Sequence, residues 1–225
     1  MKPVNIAIDG PSGAGKSTLA RRLAKTLGYV YVDTGAMYRT IAYYTIQKSA
    51  FSPEEVIALL PTLTVSLGYG ADGTQHVYAN GEDVSDFIRT PEVSMGASRV
   101  SAIPEVRAFL LDTQRNLAAQ TAVVMDGRDI GTVVLPDAQV KIYLTASAEK
   151  RAMRRFLELQ EKQPDSAPTF EEVLADVIQR DKQDMSREIA PLKQADDAVL
   201  ADTSDLTLDE SEALLLRICQ EKLGA

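Results

Sequence analysis

The stretch from Asn5 to Leu27, "NIAIDGPSGAGKSTLARRLAKTL", constrains the fold more than any other part of the chain. Val4, Ile6 and Ile8 alternate as in a short strand, and Leu19, Leu23 and Leu27 recur at helical spacing until Gly28 offers a C-terminal cap. Between them stand Gly10, Pro11, Ser12, Gly13, Ala14, Gly15, Lys16 and Ser17, followed by Thr18: a full match to Gly-x-x-x-x-Gly-Lys-Ser/Thr in the strand-loop-helix setting that the pattern requires. Glycines there let consecutive backbone N–H groups turn inward around phosphates, and the helix that follows points its positive end at them. Lys16 is expected to reach the outer phosphates and Ser17 to ligate Mg²⁺, so a nucleoside triphosphate site is expected over Gly10 to Thr18. A turn that merely joined a strand to a helix would have no need of Lys16 and Ser17.

The runs "YVYVD", "TAVVMD", "VKIYLTA" and "DAVLADT" are further short apolar segments separated by helical patterns. With the first strand they predict an α/β fold, a P-loop core with a five-stranded parallel sheet flanked by helices. Three helix starts read as capping boxes: Ser52 with Glu55, Thr169 with Glu172, and Thr207 with Glu210. From Thr64 to Ile88 the runs shorten and are separated by Gly, Asp and Asn, which predicts a small antiparallel meander. Residues 62–92 are therefore expected as an insertion, not an independent domain, in a core formed by 1–61 and 93–225. The strongly charged helical stretch Glu149 to Gln163, followed by the breaker-rich "PDSAP", is expected to form a helical lid at about 150–168 with a mobile hinge.

A chain of 225 residues with 45% hydrophobic and 25% charged residues is long enough, and ordinary enough in make-up, to bury a full core. Its formal net charge of -8 argues against general nucleic-acid binding, which needs a basic surface. No uninterrupted apolar run approaches the ~18 residues of a membrane span. Cys219, the single cysteine, has no intramolecular disulfide partner, and the start "MKPVNIAIDG" lacks a signal peptide's apolar stretch. A cytoplasmic protein is expected.

A triphosphate loop leaves kinases, signalling GTPases, motor-type ATPases and inert binding modules open. No Asn-Lys-x-Asp guanine reader is present; "RDKQD" comes nearest and lies in a helical pattern. The chain is also short for an oligomeric ATPase. Four further charged clusters bear on the choice. Asp33-Thr34-Gly35-Ala36-Met37-Tyr38-Arg39 follows the second strand, at the sheet edge where ligands bind in such folds. Thr34 and Arg39 there either grip a second phosphate or are a helix start and a surface arginine. Arg180, Asp184 and Arg187 fall at i, i+4 and i+7 of a helix, which suits a ligand face or a solvated ion-pair face alike. Arg151, Arg154 and Arg155 are open to the same two readings, the functional one placing them on the lid. Fourth, "AVVMDGRDIGTVVLPD" ends an apolar strand in Asp126, Arg128 and Asp129, charges that are costly to bury without a partner. Asp126 suits either the hydration shell of Mg²⁺ or hydrogen bonds from the phosphate loop. His76, in the insertion, reads as a surface residue.

Taken together, "IDGPSGAGKST", "DTGAMYR", "DGRDIGTVVLPDA" and "RDKQDMSREIAPL" closely resemble the bacterial cytidylate kinase family, nucleoside monophosphate kinases acting on CMP and dCMP. The likeness runs nearly end to end and includes the inserted meander. It implies phosphoryl transfer from MgATP to CMP or dCMP, with Lys16, Arg128, Arg154 and Arg155 catalytic. Thr34, Arg39 and Arg128 fall where the family holds the acceptor phosphate, with Tyr38 in the same motif. Many members carry Ser where Thr34 stands, so the hydroxyl is retained. Ser98, Arg107 and Asp129 fall where the family reads cytosine, with Arg187 close by, and Arg180 and Asp184 match the residues that hold the acceptor ribose. Ser17 and Asp126 would serve Mg²⁺. The implied partners are small molecules alone, ATP and CMP or dCMP, with no nucleic acid or membrane and with the chain a monomer.

The base assignment is chemically coherent. Cytosine offers an amino donor at position four, suited to the Asp129 carboxylate, and acceptors at N3 and O2, suited to Arg and Ser donors. Uracil would set a carbonyl against that carboxylate, at a penalty of roughly 1–3 kcal/mol or more. No general base is required, because the attacking phosphate oxygen is already anionic. Two rival readings stay open from the residues: a regulatory nucleotide-binding module without turnover, and a kinase whose acceptor is another small phosphate or hydroxyl compound.

Overall fold

A computed structural model of the protein describes residues 3–71, 73–162 and 167–224. In chain order it has β1 (Asn5–Asp9), α1 (Lys16–Leu27), β2 (Val30–Asp33), α2 (Thr34–Gln47), α3 (Pro53–Leu59), β3 (Val65–Tyr69), β4 (Gln75–Ala79) and β5 (Glu82–Asp83). There follow α4 (Pro91–Val100), α5 (Pro104–Gln120), β6 (Val123–Gly127), a π-helical turn (Ile130–Val134), β7 (Val140–Thr145), α6 (Ala148–Lys162), α7 (Phe170–Met185), β8 (Val199–Asp202) and α8 (Leu208–Leu223).

Among the described residues, five strands make one sheet in the order β2-β6-β1-β7-β8, and three make a second in the order β3-β4-β5. β1 runs parallel to β7, Ile6 opposite Val140 and Ile8 opposite Ile142, and β7 runs parallel to β8. The four apolar runs and the opening strand of the sequence are these five strands, as expected for an α/β P-loop fold. Side chains on parallel strands covered on both faces must be apolar on both, which is why the consecutive Val123, Val124 and Met125 of β6 are all fully buried.

The chain divides into two compact units, one of Val30–Val123 and one of Val4–Tyr29 with the chain from Val124 onward. The first takes in all of residues 62–92. Its core gathers Met37, Ile41, Val56, Val77, Ile88, Val93 and Leu110. Gly96 lets α4 come close to α2, since a Cβ there would lie 3.1 Å from that of Ala42. The meander is antiparallel, Val65 opposite Ala79 and Tyr78 opposite Asp83, and turns through Asn80 and Gly81 at φ 52° and 84°. Two contacts tie it to β2: the Tyr69 hydroxyl donates to the Tyr31 carbonyl at 3.0 Å, and the Asp33 N–H donates to Gln75 Oε1 at 2.8 Å.

In the second unit, α6 and α7 pack through Ala152, Val173 and Val177, with Phe156 edge-on to Phe170 at 6.1 Å. All three expected capping boxes are formed, at Ser52, Thr169 and Thr207. Residues 163–166, which hold most of the expected hinge and part of the expected lid, lie outside the described residues. No helix among those described is long and apolar enough to cross a membrane.

The entry to α1 is set by two glycines. Gly15, the N-cap, stands at φ 89°, where side chains are disfavoured. At Gly10 the limit is space, because an added Cβ would lie 1.9 Å from the Leu144 carbonyl oxygen of β7. Gly10→Ala should therefore lower the unfolding free energy by about 2 kcal/mol or more in urea titration, whereas parental stability would contradict this close approach.

Candidate active site

The loop at residues 10–18 of the second unit is held by its own side chains. Lys16 is buried and its Nζ donates to the Pro11 carbonyl at 2.8 Å. Burial, and then the positive charge of Arg128, hold the Lys16 ammonium down at about 7, while Asp126, Asp184 and Asp9 pull it up. The Ser17 hydroxyl donates to Asp126 Oδ2 at 2.9 Å, so the strand-end carboxylate of β6 meets the loop directly. Thr18 is exposed on the first turn of α1.

Ser17 and Asp126 fit magnesium in the chemistry of their donors. A hydroxyl and a carboxylate are hard oxygen ligands, and Mg²⁺ takes one or two of these together with water and substrate phosphates. Among the described residues there is no cluster of three or more His, Cys, Asp or Glu suited to a metal.

The charges after β6 are paired. Arg128 Nε donates to Asp184 Oδ2 at 2.8 Å, and Arg187 Nη2 donates to Asp184 Oδ1 at 3.0 Å, so one buried carboxylate holds two guanidinium groups. Desolvation opposes ionisation of Asp184, yet Arg128, Arg187 and Arg180 outweigh it and leave its pKa below the ordinary 3.8. Asp129 is buried beside them in sequence. Asp9, at the end of β1, accepts N–H bonds from Ile130 and Gly131, each at 2.7 Å; burial nevertheless pushes its carboxyl up to about 6.

The expected ligand face of Arg180, Asp184 and Arg187 needs correction. α7 ends at Met185 with Ser186 as its C-cap, so Arg187 is not on the helix. The Leu192 N–H takes the Asp184 carbonyl at 2.7 Å, and Arg187 returns to Asp184 from the following turn. Helical periodicity continued past the point where the backbone stops.

Arg151 is likewise not on a solvated face. It is 4% exposed and donates to the Ala146 carbonyl (2.8 Å), the Ser12 carbonyl (3.0 Å) and both oxygens of Asp181 (3.0 and 2.6 Å). Arg154 and Arg155 are exposed; Arg154 donates to the Thr203 carbonyl at 2.8 Å and Arg155 to Glu158 at 3.3 Å.

In the first unit, Asp33 caps α2, its Oδ1 accepting from the Ala36 N–H at 2.8 Å. Its Oδ2 accepts from Arg39 at 3.0 Å and faces Arg89 at 3.8 Å. Arg39 Nε is buried with no hydrogen-bond partner in the structure, an expensive state for a guanidinium N–H. Thr34, next along, is buried. The Arg107 guanidinium lies 5.6 Å over the Tyr38 ring and donates to the Ser101 carbonyl at 3.0 Å, while Ser101 Oγ donates to the Ser98 carbonyl at 2.9 Å. Tyr38, Ser98 and Arg107 thus belong to one cluster. His76 is a surface residue, as expected, hydrogen-bonded to Asp83 at 2.8 Å.

Sequence reasoning passed over Asp9 and the clamp that Asp33 makes on Arg39. For Asp9 the signal was the one that drew attention to Asp126, a charge at the end of a buried strand. For Asp33 it was the capping position itself, which leaves the second carboxylate oxygen for Arg39 six residues on.

A strand, a glycine-bounded loop and a helix on a five-stranded sheet define a protein of the α/β P-loop class. A family model described as cytidylate kinase matches residues 6–221. The cytidylate kinase of Caldicellulosiruptor saccharolyticus is 49% identical over 226 residues, covering 100% of this chain and 99% of that protein. That of Flavobacterium johnsoniae is 48% identical over 227 residues, covering 98% of each. The chain belongs to the cytidylate kinase family. A solved structure of an uncharacterized protein from Eubacterium ventriosum ATCC 27560 matches with TM-score 0.51 at 13% identity, over 98% of this chain and 99% of that one, a likeness of fold alone.

The Asp184 network makes acid stability a measurable quantity. A carboxylate with a depressed folded pKa contributes stability that is fully present above the unfolded value of 3.8 and is lost as pH falls through the folded one. Denaturant titrations below pH 3.8 should show the parent losing stability more steeply than Asp184→Asn; equal slopes would contradict the pairing. At neutral pH the same substitution should cost about 3 kcal/mol, because two buried guanidinium groups lose their counter-charge.

Proposed function

We propose that the chain transfers the γ-phosphoryl group of MgATP reversibly to CMP or dCMP, giving ADP and CDP or dCDP. An oxygen of the acceptor's phosphate forms the new bond to the γ-phosphorus as the bond from that phosphorus to the ADP oxygen breaks, and no proton need be removed first. The observation that carries the reading is Arg39, whose buried Nε–H has no partner and whose neighbour Thr34 holds a hydroxyl in the same motif. Such a donor calls for an anion, and family membership supplies the nucleotide.

The donor triphosphate lies in the loop Gly10 to Thr18, with Lys16 leaving the Pro11 carbonyl for its outer oxygens. Mg²⁺ held by Ser17 and Asp126 would neutralise charge on the phosphates. Thr34, Arg39 and Arg128 hold the acceptor phosphate; Asp129, Ser98 and Arg107, with Tyr38 under the Arg107 guanidinium, read the base; Arg180, Asp184 and Arg187 hold the ribose. Arg154 and Arg155 supply charge to the transferring group from the lid. Residues 62–92 act as the acceptor-binding insertion. The protein works as a cytoplasmic monomer, a setting that suits a thiol as buried as Cys219, which desolvation pushes up to about 12.

Purified protein with MgATP should release ADP with CMP and dCMP and far less with UMP; no turnover with any cytidine monophosphate refutes the reading. Asp129→Ala should narrow the CMP-to-UMP ratio of kcat/KM about tenfold or more, while Arg39→Ala should weaken both acceptors alike. Equal effects of the two variants on that ratio would contradict the division of roles.

Lys16 gives a second, independent test. At about pH 8 the free enzyme carries a mostly neutral Lys16, and triphosphate favours its charged form, so ATP binding should take up a proton. Calorimetry in buffers of different ionisation enthalpy should show uptake at about pH 8 and little from this group at about pH 6. The uptake should vanish in Lys16→Met.

A further inference from the structure

The turn that carries Arg128 and Asp129 is held by a side chain from another strand. In the π-helical turn Ile130–Val134 the Val134 N–H bonds back to the Asp129 carbonyl at 3.2 Å and the Leu135 N–H to that of Ile130 at 2.7 Å. The opening amides of any helical turn have no acceptor within it. Asp129, which stands at the N-cap position, makes no side-chain cap. Asp9 does so instead, 4% exposed, one oxygen on the Ile130 N–H and the other on the Gly131 N–H.

Two short bonds from one carboxylate to consecutive amides fix the direction of two peptide planes, and with them the main chain at Asp129, which lies at φ −145° and ψ 25°, outside strand and helix alike. The contact is fitted from the other side as well. A Cβ on Gly131 would lie 3.3 Å from Asp9 Oδ2 and 3.2 Å from the Cδ of Lys141, a buried residue of β7 whose ammonium is held by Asp197 at 2.8 and 2.9 Å. Asp9 also directly precedes Gly10, where the phosphate loop begins. One buried carboxylate therefore joins the root of the phosphate loop to the loop bearing Arg128 and Asp129.

The structure assigns Asp9 as a positioning residue for acceptor selection, acting through the main chain of Asp129 and Arg128. Both of its oxygens are engaged by backbone, so it touches no reacting atom. The assignment rests on the CMP kinase reading of the same site and names the group that sets its selectivity from behind. Lys16 and Ser17 take their hydrogen bonds elsewhere, on the Pro11 carbonyl and Asp126.

Asp9→Asn keeps the shape and one acceptor oxygen but turns an N–H donor toward one of the two amides. It should raise KM for CMP about 10- to 100-fold and compress the CMP-to-UMP ratio of kcat/KM, with KM for ATP held within about threefold. Gly131→Ala should give the same split, and the double variant should lose little more than the worse single, as expected for two sides of one contact. Parallel rises in KM for CMP and ATP, or a lowered melting temperature with intact KM and selectivity, would overturn the assignment. If Asp9→Asn does not fold, Gly131→Ala and amide exchange in the parent decide: the Ile130 and Gly131 amides should exchange as slowly as those of β6, and exchange at exposed-loop rates overturns it. A parent that cannot phosphorylate CMP at all faults the proposed function; an active parent matched by both variants faults only the role of Asp9.

Discussion

Arginines gathered in buried and half-buried positions need counter-charge, and the arrangement of carboxylates in this protein answers that constraint. Guanidinium groups left to themselves in half-buried positions would repel one another and lose their water. Asp184 holds Arg128 and Arg187, Asp33 holds Arg39, and Asp181 holds Arg151. The negative net charge of -8 is thus compatible with sites for highly anionic ligands, because acidic residues are spent locally on keeping the arginines where they are needed.

The pairings also shape what a ligand must do on arrival. An anion that engages Arg39 does not have to create order, since Asp33 already fixes the guanidinium and leaves Nε aimed at nothing else. It adds an acceptor to a preorganised donor, which keeps the entropic cost of binding low. Lys16 differs in kind, because its amine rests on a neutral carbonyl and not on a carboxylate. Burial and the positive charge of Arg128 lower its proton affinity, against the pull of Asp126, Asp184 and Asp9.

Much of this was legible in the sequence where the local pattern and the structure obey the same rule. The phosphate loop, the five apolar strands and the capping boxes at Ser52, Thr169 and Thr207 depend on neighbours within a few residues, and all are formed. What stayed hidden depends on residues far apart in the chain. Asp9 acts on Ile130 and Gly131, and Arg151 on Ser12 and Asp181, and no periodicity encodes such partners. Arg187 shows the opposite failure: a helical spacing that is real in the sequence but is broken by the backbone at Ser186. After β6 the local pattern leaves Arg128 to a ligand alone, whereas the distant Asp184 holds it; Asp126 meets Ser17 of the loop, one of its two expected roles.

Arg151 carries one further meaning. Its guanidinium grips the back of the phosphate loop at the Ser12 carbonyl and, with the same plane of atoms, the Asp181 carboxylate of α7. A planar, rigid fork cannot stretch, so any departure of α7 either drags on the loop or strands a buried positive charge. The joint therefore behaves as a mechanical stop. Arg154 and Arg155, further along α6, take no part in it, being held instead by the Thr203 carbonyl and Glu158.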